Sequence, residues 1–143
     1  MTLKNTKNTY IIDVRNVQTI DKATDVITER ANGQYYERGD KKYILYKSSD
    51  EGAEYSSSVI VSSGAVTIKR SGGVKSNMSL ELGKRTSCVY HTPYGKINME
   101  IETERIVSDL SHNGGTLRLK YTLIMQDEKY YNDMTIRVIG DAL

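Results

Sequence analysis

The sequence predicts an all-β fold: about eight to ten antiparallel strands in an up-and-down meander, closed into a barrel. Three observations predict it. Apolar and polar residues alternate along most of the chain, the period of side chains on a strand. Turn signals rich in Gly, Asn, Asp and Ser separate the alternating runs at short intervals. The runs number about ten, against roughly 4–6 strands in a common open sheet, and closure hides one apolar face and removes the edges.

Taken in order, Tyr10, Ile12 and Val14 share one parity, and Val17 breaks it, which predicts a β-bulge there. The polar stretch Thr19 to Thr28 has no helical stripe and is expected to hold a loop and the start of strand two. Tyr43 and Leu45 oppose Ile44 and Tyr46, so that strand has apolar residues on both faces. Val59 and Val61 alternate with Ser58 and Ile60, and Val66 and Ile68 with Thr67 and Lys69. Val74, Met78, Leu80 and Leu82 share a parity. Ile97, Met99 and Ile101 form the next apolar row, then Leu117, Leu119, Tyr121, Leu123 and Met125, then Met134, Ile136 and Val138. One wet face and one covered face suit antiparallel hairpins. The turns fall at Gly39, Gly52, Gly64, Gly72-Gly73, Gly83, Pro93-Tyr94-Gly95, Asn113-Gly114-Gly115 and Asp127-Glu128.

Composition narrows the classes. Twenty Lys and Arg against 18 Asp and Glu give a net charge of +2, which excludes an acidic tail and argues against a nucleic-acid track. All 11 aromatic residues are Tyr, and the single Cys excludes an internal disulfide. No run approaches the roughly 18 apolar residues of a membrane helix. Met1 to Asn8 lacks the apolar core of a signal peptide, so the expectation is one cytoplasmic domain, with the barrel over residues 9–140.

Three motifs then occur in order. Arg70-Ser71-Gly72 follows an alternating strand, Val89 to Gly95 carries Thr92-Pro93-Tyr94-Gly95 between two strands, and Gly115 to Tyr121 leads into the last hairpin. In this order they resemble the YwiB-like family of bacterial proteins, a domain of unknown function, from about Thr9 to Ile139. The resemblance implies a calycin-type barrel, related in shape to lipocalins and fatty-acid-binding proteins. It lends architecture and no reaction.

Arg70 is the most informative candidate. It continues the inward parity of Val66 and Ile68, and a buried guanidinium needs a carboxylate, a set of carbonyls or an anionic ligand. A rim position with the head in water is the competing placement. Tyr90 and Tyr121 would each bring a hydroxyl to the lumen, or pack in the core against a carbonyl. Tyr94, in a tight turn, would sit at the barrel mouth. Cys88 and His91 stand three apart on one strand and face opposite sides, which excludes a thiol–imidazole pair. Glu100, Glu102 and Glu104 share an outer face, with Arg118 and Lys120 as expected cross-strand partners.

No zinc spacing, phosphate loop or nucleophile with an adjacent base occurs, so no metal, cofactor or enzymatic activity is expected. The leading expectation is a barrel binding one small amphipathic or anionic molecule in its lumen or at its mouth, without a nucleic-acid or membrane partner. The alternative is an interaction barrel with a filled lumen, homodimeric through an apolar patch of Ile44, Tyr46, Ile60 and Ile139.

Overall fold

In a computed structural model, which describes residues 9–50 and 52–140, the chain forms the expected closed meander. The strands are β1 (Tyr10–Ile20), β2 (Ala23–Arg38), β3 (Lys41–Asp50), β4 (Ala53–Ser62), β5 (Ala65–Ser71), β6 (Lys75–Glu81), β7 (Arg85–Thr92), β8 (Gly95–Ser108), β9 (Gly114–Met125) and β10 (Glu128–Ile139). Each pairs antiparallel with its sequence neighbours, and β1 pairs with β10 to close the ring.

Alternation places the core. Ile12, Ile44, Val66, Leu80, Ile101, Leu117 and Ile136 are fully buried in the lumen, and their strand neighbours face outward. They fill one half of the barrel. The end of that half is shut by the loop between β8 and β9, whose Leu110 is buried. Lys42 Nζ donates to the Leu110 carbonyl at 2.6 Å, and Tyr10 Oη donates to the His112 carbonyl at 2.9 Å. Tyr10 packs edge-on against Tyr35 with ring centroids 5.8 Å apart.

Three expectations are corrected. Thr19 to Thr28 does hold the start of β2, but what precedes it is the end of β1 and a two-residue turn, not a loop. Val17 is not a bulge: β1 holds one register with both neighbours, Val17 points outward, and the inward residues there are the polar Asn16 and Gln18. The register shift lies instead between Thr103 and Arg105. Ile44 and Tyr46 lie inside the barrel and contribute nothing to an outer patch.

The wall is not uniform. Main-chain pairing between β2 and β3 is confined to Gly33–Arg38 against Lys41–Tyr46. The first half of β2 pairs with β1 alone, so β2 changes neighbours at Gly33. A Cβ at Gly33 would lie 2.4 Å from the Leu45 carbonyl oxygen and 2.6 Å from Ile12 Cγ1, so only glycine allows this approach. A second thin seam lies between β6 and β7, whose ladder holds only Lys75–Asn77 against Val89–His91.

Candidate ligand-binding cavity

The unfilled half of the lumen opens at the end carrying the β1–β2, β3–β4, β5–β6, β7–β8 and β9–β10 turns. Here inward parity delivers Asn16, Glu29, Arg70, Tyr90, Tyr121 and Asn132 instead of aliphatic residues. With the apolar Val14, Ile68, Met78, Met99, Leu123 and Met134 they surround a cavity of about 250 Å³.

Arg70 bridges the opening between β2 and β3. Its Nη2 donates to Glu29 Oε2 at 2.6 Å and to Ser48 Oγ at 3.3 Å. Its guanidinium lies 5.0 Å from the centre of the Tyr55 ring. Tyr46 Oη donates to the other Glu29 oxygen at 3.4 Å. Side chains thus join the first half of β2 to β3, β4 and β5 where no ladder does. Arg70 side-chain exposure is 32% and that of Glu29 is 20%. Burial works against the guanidinium charge, but the bond and charge of Glu29 outweigh it and raise the Arg70 pKa. Burial, then the Glu29 charge, raises the Tyr46 pKa.

A chain of amides lines the β1–β10 side. Asn132 Nδ2 donates to the Tyr130 carbonyl at 2.9 Å. A carbonyl only accepts, so the orientation of Asn132 is set and its Oδ1 faces β1. There it accepts from Asn16 Nδ2 at 2.9 Å and Gln18 Nε2 at 3.0 Å. Asn16 Oδ1 is left buried with no partner among the described residues, as is Ser57 Oγ. Tyr121 is buried, and desolvation, then neighbouring Tyr90, pushes its hydroxyl far above the usual tyrosine range.

Three of the four predicted site residues, Arg70, Tyr90 and Tyr121, line this cavity. Tyr94 does not: it stands 99% exposed at the tip of the β7–β8 turn. Thr92 Oγ1 caps that turn, accepting from the Tyr94 amide at 3.1 Å and donating to the Gly95 carbonyl at 2.9 Å. Turn chemistry therefore accounts for the motif. Cys88 is buried in the lumen with its thiol pKa raised by desolvation, while His91 is on the outside. Glu100 and Glu102 pair with Arg85 of β7 at 3.3 and 2.7 Å, not with Arg118 or Lys120, because register sets Ile124 and Thr122 beside them on β9. Among the described residues no three His, Cys, Asp or Glu side chains converge as metal ligands would.

Sequence reasoning missed Glu29, Asn16, Gln18 and Asn132. The need of Arg70 for a carboxylate was visible. Which carboxylate was not, because Glu29 lies beyond the polar stretch that hid the start of β2.

Comparisons with known proteins agree with this architecture. The chain is 31% identical over 130 residues to the "Uncharacterized beta-barrel protein YwiB" of Bacillus subtilis (strain 168), covering 90% of this chain and 92% of that protein. The crystal structure of the ywiB protein from Bacillus subtilis superimposes with a TM-score of 0.87 at 28% identity, covering 94% of this chain and 93% of that one. Residues 12–137 match the family described as Domain of unknown function (DUF1934), and the chain belongs to that family of β-barrel proteins.

Proposed function

We propose that this protein is a non-enzymatic, cytoplasmic ligand-binding barrel that takes one small amphipathic molecule into the open half of its lumen, in the manner of calycin-type carriers. The supporting observation is the cavity of about 250 Å³, with an apolar side of Met, Leu and Ile and a polar side of Arg70, Tyr90, Tyr121 and the amide chain. Apolar walls with a few placed polar groups are the usual form of a small-molecule site. The volume lies just below the roughly 300–1,000 Å³ common for such sites, which favours a short chain or single ring over a full lipid. Native mass spectrometry of gently purified protein tests the reading. A retained small-molecule mass is expected. A bare chain that also binds nothing from a metabolite extract would end it.

A second reading rests on a different observation. Among the described residues, the edge of β2 over residues 23–32 has no strand partner on its β3 side, and Val26 and Ile27 on it are half exposed. Such an edge can add a strand from a second copy. Light scattering that gives a monomer at high concentration removes this homodimer.

A further inference from the structure

We infer that the ligand of this lumen is an anion, and that it binds by exchanging its own head group for the Glu29 carboxylate on Arg70. The inference rests on the lumen-binding reading and names its ligand class. Among the described residues, Arg70 alone lines the lumen cavity and both large grooves on the outside of the barrel. One groove, about 720 Å³, lies over β2 to β5, and the other, about 650 Å³, over β5 to β7. Among the described residues no Asp or Glu lines either groove, whereas Lys47, Lys69, Lys75 and His91 do. None of these four has an ion-pair partner among the described residues. Two cationic approaches therefore converge on one guanidinium, and beyond it lies the apolar lumen. That is the charge layout of a path for an amphipathic anion, polar end outward and tail inward.

The guanidinium is equipped for the exchange. Of its five N–H donors, both described bonds use Nη2, leaving Nε and Nη1 without a protein acceptor among the described residues. Glu29 is held at one oxygen by Arg70 and at the other by a long 3.4 Å bond from Tyr46, and it lies on the half of β2 that no β3 ladder restrains. Both edges on which a guanidinium can hold a carboxylate by two bonds include Nη2, where Glu29 sits, so a second carboxylate taking such an edge through Nε or Nη1 would repel Glu29 and displace it toward solvent.

Isothermal titration calorimetry with sodium hexanoate, 1-hexanol and hexanamide, which share one tail length, tests this on the full chain. Hexanoate is expected to bind at least about tenfold more tightly than the two neutral probes. The Glu29→Gln variant, which keeps the shape and removes the competing charge, is expected to tighten hexanoate about tenfold further, well beyond any change it makes to 1-hexanol. Salt should weaken hexanoate alone. Neutral probes that bind as tightly as hexanoate, or hexanoate indifferent to Glu29→Gln, would overturn the inference while leaving the lumen-binding reading in place. Failure of all three probes to bind would also overturn it, and the lumen reading would then stand or fall on the retained mass alone. Because these comparisons use native protein and an isosteric variant, they do not depend on a loss at Arg70 that misfolding could imitate.

Discussion

Asn16 and Asn132 touch each other, yet substitution should separate them. Asn132 bonds three groups: its amide nitrogen holds the Tyr130 carbonyl, and its oxygen receives Asn16 and Gln18. Asn132→Leu would orphan all three and is expected to destabilise the fold by about 2–4 kcal/mol, since each stranded buried polar group costs about 1–3 kcal/mol. Asn16→Leu removes an oxygen that already lacks a partner, and Asn132 keeps its bond from Gln18. It is expected to fall within about 1 kcal/mol of the native protein in urea unfolding. A different single-residue test lies on the outer face, at Arg85. Its bond to Glu102, then its charge, lowers the Glu102 pKa. A depressed carboxylate stabilises above its unfolded value of about 4.3 and loses that contribution as pH falls through the folded value. Arg85→Ala should therefore flatten the acid side of the melting temperature against pH, with a small effect because the pair is exposed. At this scale the sequence was partly legible. The parity of Arg70 with Val66 and Ile68 was enough to aim it inward. Asn16 and Asn132 carried no such mark, since polar residues on an apolar row read as interruptions until a partner over a hundred positions away is known.

Among the elements, β2 is the one that departs from a uniform barrel. It belongs to β1 along its first half and to β3 along its second, with Gly33 at the exchange. Gly33→Val would drive a branched side chain into the Leu45 carbonyl and Ile12. Overpacking of this kind costs about 1–3 kcal/mol, and a collision with backbone places this site at the upper end; thermal unfolding would read it. Hydrogen exchange is expected to divide β2 as well. Amides of residues 23–32 that point away from β1 should exchange fast, and those of 34–38 bonded to β3 should be protected. Uniform protection along β2 would show that the opening is sealed. Alternation exposed the other strands because their apolar rows are continuous. In β2 the inward positions run Ile27, Glu29, Ala31, Gly33 and Tyr35, a mixture forced by the opening, the ion pair and the close approach, and no row emerges.

For the molecule as a whole, the inward tyrosines set the response to alkali. Burial, then the bond to Glu37, raises the Tyr35 pKa, and burial also leads for Tyr46 and Tyr121. A group whose folded pKa is raised keeps its contribution below the unfolded value, about 10 for tyrosine, and loses it as pH rises toward the folded value. Stability should thus decline from about pH 10 upward, and absorbance at 295 nm should rise in two phases. The buried Tyr35, Tyr46 and Tyr121 would ionise in the later phase, together with unfolding. A single smooth phase would contradict their burial. Closure itself was foreseeable from strand number and the one covered face. What the strand pattern could not show was that half of the interior is packed solid and half is hollow, because that depends on side chains from opposite walls meeting across the lumen.

Nine of the ten strand pairings join consecutive strands, and only β1 with β10 spans the chain. Nine hairpins can therefore zip locally, while ring closure waits for two distant ends to meet and bears the largest loop entropy. The same seam carries a side-chain clasp at the mouth, Asn16 to Asn132, and at the shut end Tyr10 ties β1 to the His112 carbonyl of the β8–β9 loop. Before these engage, the intermediate is an open curved sheet with two bare edges and an uncovered apolar face. The amides that line the mouth would then serve also as the latch that ends the interval in which one nascent sheet can join another.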